Sequence, residues 1–154
     1  MADLNHQVLH DMETDLYFTM VLADLNLETG LFRFAEAGHP YAVLHSSDNA
    51  FLHLGTGCMP MGLIDDIAFE RIEHIMKPGD RLFIVSDGVT ECPDPSGALL
   101  DKEGFERMLG TLVNAHGQDV INDIFSGLEA YSNLTVFPDD VSIIMLEHIG
   151  AVTD

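Results

Sequence analysis

Two acidic corners, fifty residues apart in sequence, hold the side chains best suited to chemistry. The first is "RLFIVSDGVTE" at 81–91, where the apolar run Leu82 to Val85 passes straight into Ser86, Asp87 and Gly88. A strand that ends on a carboxylate and turns at a glycine presents that carboxylate at the rim of a sheet. The second is Asp139 and Asp140, which follow Pro138 and open the apolar run Val141 to Leu146. If the two runs pair antiparallel, the end of one lies beside the start of the other, so Asp87 sits near Asp139 and Asp140. Clustered carboxylates repel one another, and a hard divalent cation is the usual means of neutralising them. The competing reading is turn chemistry: with 26 acidic residues, Asp-Gly after a strand and Asp-Asp before one also arise as ordinary loop residues.

Other candidates carry less. His6 and His10 are four apart on a possible helix, a spacing that can bind zinc, but no third ligand is evident in the sequence and exposed polar residues are the plainer reading. His45 and His53 flank "SSDN" and could face each other across a hairpin without any function. Cys58 and Cys92 lack C-x-x-C spacing, which gives a disulfide framework or thiolate zinc site no support and leaves free thiols. The eight methionines read as core filler.

The elements that position these residues follow from periodicity. Ala2 to Met12 suits a short helix through Leu4, Val8 and Leu9. Tyr17 to Leu27 and Leu31 to Ala37 form a hairpin about the turn "ETG". Tyr41 to His45 and Ala50 to Leu54 form a second about "SSDN". Phe69 to Met76 and Arg81 to Ser86, joined by "KPGD", are expected to form a third. Phe105, Met108, Leu109, Leu112 and Val113 recur at helical spacing, as do Val120, Ile121, Ile124, Phe125, Leu128 and Tyr131. Val141 to Glu147 is apolar enough for a central strand. Antiparallel hairpins with a helical pair before the last strand make an α+β domain, helices layered on sheet. At 154 residues and 47% hydrophobic content the chain suits one domain, 1–154.

Charge limits the partners. Six basic against 26 acidic residues give a formal charge of −20, repulsive toward a phosphate backbone, so no nucleic-acid partner is expected. No apolar run is long enough to cross a bilayer, and Asp3, Asn5 and His6 interrupt the place of a signal-peptide core. The expectation is a cytoplasmic chain with no membrane partner.

"AGHPYAVL" at 37–44, "PMGL" at 60–63, "KPGDRLFIVSDGVTE" at 77–91 and "DDVSIIML" at 139–146 together resemble, in order and spacing, the type 2C metal-dependent serine/threonine phosphatases. The likeness runs from about Leu4 to Leu146 and is strongest to the bacterial, sporulation stage II branch. That branch dephosphorylates anti-sigma-factor antagonist proteins in signal transduction and is often fused to response-regulator receiver or sensory domains. The resemblance implies an antiparallel β-sandwich flanked by helices. It also implies two Mn or Mg ions holding the water that attacks phosphorus, and a phosphoprotein substrate. By position, Asp87 and Asp139 match metal-ligating aspartates and so carry the catalysis, and Asp140 stands beside them in support. Gly88 lets the turn pass close to the site. Glu91 follows closely enough to support the ligands or touch substrate, and His39 of "AGHP" reads as a structural histidine capping its hairpin.

One departure from the family matters. Its upstream Gly-Asp strand, whose Asp bridges both metals, and its Gly-His-Gly segment have no counterpart here, and "MADLNHQVLHDMETDLYF" resembles the later helix of the fold. The expectation is a C-terminal portion with the first third missing. Its parent would be a Mg- or Mn-dependent hydrolase, while the isolated chain would be inactive and a homodimer or larger through uncovered sheet edge. The alternative is a phosphatase-like protein-binding module in signalling, without turnover.

Overall fold

The computed structural model describes residues 1–12 and 16–150. In chain order the elements are α1 (Ala2–His10), β1 (Met20–Leu25), β2 (Leu31–Ala37), β3 (Ala42–His45), β4 (Phe51–Leu54), β5 (Ile72–Ile75), β6 (Arg81–Val85), α2 (Asp87–Thr90), α3 (Asp101–Thr111), α4 (Gln118–Ser132) and β7 (Ile143–Glu147). They belong to two compact units, one of Met1–Tyr41 with His53–Lys77, the other of Ala42–Leu52 with the chain from Pro78 onward. Both sheets are antiparallel and the class is α+β. Among the described residues no helix is long and apolar enough to cross a membrane.

The first unit carries α1 and a sheet of order β1-β2-β5. The expected β1–β2 hairpin forms, in register from Met20↔Ala37 to Leu25↔Phe32. Its turn is built by Asn26, whose side-chain oxygen accepts the N–H groups of Glu28 and Thr29 at 3.0 and 2.9 Å. Gly30 completes it at φ +70°, where an added Cβ would lie 2.5 Å from the carbonyl oxygen of Met76. Val8, Ala37 and Met61 form a buried cluster with Met1, Met20 and Phe69 against it. Alternation along β2 buries Phe32, Phe34 and also Glu36. One oxygen of Glu36 accepts the N–H groups of Thr56 and Gly57, both at 2.6 Å, which fastens the glycine-rich loop to the strand.

The second unit carries the sheet β4-β3-β6-β7, with the expected β3–β4 hairpin at one side. Its core joins Val43, Phe83 and Val85 of the sheet to Phe105 and Leu109 of α3 and to Val120, Ile124 and Leu128 of α4. Phe83 and Phe105 meet edge to face, ring centres 6.2 Å apart. Each such fully buried side chain contributes about 1.5–3 kcal/mol over its exposed state. Both helices lie where the periodicity predicts, with Phe105 and Leu109 of α3 and Val120, Ile124 and Leu128 of α4 buried, while Leu112 and Val113 fall past the end of α3 and Val113 is exposed. Asp101, at φ +58°, accepts the N–H of Gly104 at 2.7 Å and so starts α3. Asn133, left-handed at φ +56°, ends α4.

Two expectations are corrected. Phe69–Met76 and Arg81–Ser86 do not form a hairpin: β5 pairs with β2, from Leu31↔Ile75 to Phe34↔Ile72, while β6 lies between β3 and β7. A Pro-Gly turn specifies a reversal but not the partner. Here Gly79 donates to the carbonyl of His148 at 2.7 Å and Asp80 accepts the N–H of Ser47 at 3.0 Å, so the turn is fastened to the neighbours of β6. Second, β7 is an edge strand of its sheet rather than a central one, and β6 is central. Ile144 is accordingly 59% exposed, whereas Leu82, Phe83 and Val85 are buried. The turn expected after Ser86 is one turn of helix, Asp87–Thr90.

Arg81 is buried at the start of β6 and its guanidinium is held from several sides. It donates to Glu147 at 2.9 Å, to the carbonyl of Leu112 at 2.9 Å and to that of Ala115. Glu147 also accepts the N–H of Gly117 and bonds His116, each at 2.9 Å.

Candidate functional site

The corner where β6 ends and β7 begins is assembled by register. Val85 stands opposite Ile143, which carries Ser86 to Ser142 and sets the Asp87 turn against Asp139 and Asp140. Ser86 fastens it. Its N–H donates to the carbonyl of Ser142 at 3.0 Å, its hydroxyl accepts the N–H of Ser142 at 2.9 Å, and the same hydroxyl donates to the carbonyl of Asp140 at 2.8 Å. The backbone of Ser86 is extended, as befits the residue before α2.

Gly88 is buried, and an added Cβ would lie 2.4 Å from the carbonyl oxygen of Asp140 and 3.5 Å from the carbonyl carbon of Asp139. Its φ is not in the left-handed region, so proximity rather than conformation requires the glycine.

Asp87, Asp139 and Asp140 are all exposed. One oxygen of Asp87 accepts the N–H of Gly88 at 3.0 Å, and one of Asp139 accepts the N–H of Asp140 at 2.7 Å, so each carboxylate is held by the following amide with its other oxygen unengaged. Asp140 contributes its main chain to the clamp. Glu91 donates its N–H to the carbonyl of Asp87 at 2.8 Å and closes the helical turn.

Exposed carboxylate oxygens suit a hard, hydrated divalent cation. The number of donors is another matter: among the described residues these three aspartates do not form a group whose ligand atoms all lie within 4.8 Å of one another. The corner fits part of one ion's shell and does not by itself make up a two-ion centre.

His39 bonds the neighbouring carbonyl of Pro40 through Nδ1 at 3.0 Å, so that nitrogen carries the proton and the ring braces its own loop. His45 stacks on Phe51 with ring centres 4.5 Å apart and bonds Asn49 at 2.7 Å. Cys58 and Cys92 are free, and burial pushes the Cys92 thiol pKa up. Sequence reasoning missed Ser86, whose only signal is a hydroxyl between an apolar run and Asp-Gly. It also missed Asp65, which lies beside His10 across 55 residues of sequence.

The antiparallel sheets and their helices are those of type 2C phosphatase domains. The fold superposes on the SiaA-PP2C domain of Pseudomonas aeruginosa with a TM-score of 0.77 at 18% identity, covering 92% of this chain and 56% of that one. For the phosphatase domain of SpoIIE from Bacillus subtilis (Mn presoaked) the TM-score is 0.70 at 18% identity, covering 88% and 58%. Residues 1–149 match the family described as stage II sporulation protein E (SpoIIE), and the chain belongs to that family. It is 25% identical over 147 residues to the phosphoserine phosphatase RsbU of Bacillus subtilis (strain 168). That alignment covers 95% of this chain and 43% of the relative, so the chain spans less than half the length of the curated relative it matches.

Proposed function

We propose that this chain contributes the β6–β7 acidic corner of a metal-dependent phosphatase that removes phosphate from phosphoserine or phosphothreonine of a regulatory protein of the anti-sigma-factor-antagonist type. Asp87 and Asp139 are the proposed ligands, with Gly88 and Ser86 fixing the distance between their turns and Asp140 and Glu91 holding the backbone around them. The observation that carries the reading is the Ser86–Asp140 clamp with Gly88 packed beneath it, which brings two acidic turns together. Bound Mn or Mg would supply a positioned water and neutralise charge on the phosphoryl group. The chain's own residues hold the carboxylates and keep the corner rigid. The family relationship to a phosphoserine phosphatase supports the substrate class.

A protein-binding role without turnover is the second reading. It is favoured by the shortage of clustered carboxylates among the described residues. Phosphate release from a phosphoserine regulatory protein, with and without Mn, separates the two. The comparison is between this chain and a form extended by whatever its gene encodes upstream of Met1. Mn-dependent release by the extended form that disappears in Asp87→Asn supports the phosphatase. Tight binding of the phosphoprotein with no release in either form supports the binding module.

A further inference from the structure

We infer that His6, His10 and Asp65 form a binding site for zinc or a similar borderline transition metal, built from donors other than the acidic corner. His6 and His10 are separated by one helical turn of α1, which puts both imidazoles on one face, their ring centres 4.5 Å apart. Asp65 meets them from the loop after Met61, its Oδ2 2.7 Å from Nε2 of His10. One ligand atom from each of the three residues lies within 4.8 Å of the others. Zinc bonds of about 2.0–2.1 Å in a tetrahedron separate ligand atoms by roughly 3.3 Å, so closing the site takes shifts of about an ångström or so in exposed side chains.

Two imidazoles and one carboxylate select a borderline cation over Mg, which prefers an all-oxygen octahedron. A surface His–Asp contact by itself is worth little and is commonplace. Two further facts distinguish this one. A second imidazole stands within reach, which the His10–Asp65 pair does not need. The loop is also fixed to the helix by a buried side chain: Asn5 donates to the carbonyl of Ile64 at 2.9 Å and accepts the N–H of Gly62 at 2.8 Å. Asn5 thus locks the residue before Asp65 one position away from His6, and the carboxylate is delivered to the histidine face without rearrangement of the backbone. Three protein donors leave the fourth tetrahedral place open to water or a donor from outside.

The test is calorimetric titration of the chain with zinc chloride in excess MgCl2, which occupies oxygen-only sites, paired with the visible spectrum after addition of cobalt chloride. Uptake of one zinc per chain is expected, weakened by more than about tenfold in His6→Gln and in His10→Gln, together with the intense visible bands of tetrahedral cobalt. Both variants lie at exposed positions, and matching circular dichroism would show that the fold is kept. Equal zinc affinity in the double variant overturns the site. So does a wild-type cobalt spectrum with only the weak bands of an octahedral, all-oxygen ion, a measurement that needs no variant. Neither outcome bears on phosphate release.

Discussion

The hydroxyl of Ser86 donates to the carbonyl of Asp140 at 2.8 Å while accepting the N–H of Ser142 at 2.9 Å, so one side chain locks both acidic turns. Ser86→Ala leaves a carbonyl and an amide without this partner, and about 1–2 kcal/mol of stability should be lost. Urea unfolding of the variant measures that loss. A change below about 0.3 kcal/mol would mean that water replaces the hydroxyl without cost.

Gly88→Ala probes the same corner by steric means. A methyl group 2.4 Å from the Asp140 carbonyl has to push the Asp139–Asp140 segment away. Overpacking of this kind costs about 1–3 kcal/mol, and Mn uptake should fall more than in Ser86→Ala because the turns are driven apart. Unaltered melting temperature and Mn binding in this variant would contradict the described proximity.

Mn or Mg should bind weakly to the chain through Asp87 and Asp139, because two carboxylates leave most of the octahedral shell to water. Isothermal titration should show uptake that declines in Asp87→Asn and again in Asp139→Asn. If the double variant binds like the wild type, the diffuse charge of −20 is the cause and the corner is not a site.

Glu147 gives a pH signature. Burial raises its pKa, but bonds from the Gly117 N–H, His116 and Arg81 outweigh burial and hold it below the usual carboxylate value. A depressed folded pKa contributes stability above the unfolded value of about 4.3 that is lost as pH falls through the folded one. The difference in stability between wild type and Glu147→Gln should therefore be largest near neutrality and shrink at acid pH. Removing the partner altogether in Glu147→Ala leaves the buried Arg81 charge uncompensated, at a cost of about 3–5 kcal/mol. Thermal unfolding from pH 3 to 7 follows both; a pH-independent difference would rule out ionisation as the source.

Association is expected through sheet edge. β7 lies at the edge of its sheet with Ile144 exposed, and β1 lies at the edge of the other with Leu22 exposed. Unpaired strand edges bearing apolar side chains template further pairing, and charge repulsion is screened beyond about 8 Å at physiological salt. Light scattering over a concentration series should show a dimer, reduced by Ile144→Lys. A monomer at every concentration would show that the edges are closed to other chains.

Where local pattern decided the structure, the sequence was legible. β2, α3 and α4 formed where their apolar patterns lie, although β2 also buries Glu36, and the supposed antiparallel pairing of "RLFIVS" with the last strand forms and brings Asp87 to the Asp139–Asp140 end. What failed was partner choice. Nothing local tells Ile72–Ile75 to prefer β2 over β6, because the decision is made by Gly79 and Asp80 reaching His148 and Ser47. An apolar strand such as Ile143–Glu147 likewise carries no mark of lying at an edge. At the candidate site the carboxylates were legible and their fastening was not, since Ser86 acts through a main-chain carbonyl that has no sequence signature. His6 and His10 looked idle because their companion, Asp65, becomes a neighbour only when Asn5 pins the distant loop.

The guanidinium of Arg81 also bears on the order in which the chain folds. The carbonyls of Leu112 and Ala115 lie just past α3; that of Leu112 accepts the N–H of Ala115 at 3.2 Å, and both also accept from a side chain of β6. That side chain is in turn oriented by Glu147, directly across the ladder from it. The Arg81 bonds past the end of α3 are therefore complete only once strands 66 residues apart have paired. Helix formation and sheet closure become one cooperative event, with the loop-closure entropy of that long separation as its barrier. Substitutions at the end of α3 should then alter unfolding rates more than folding rates, which would mark this junction as a late-forming latch.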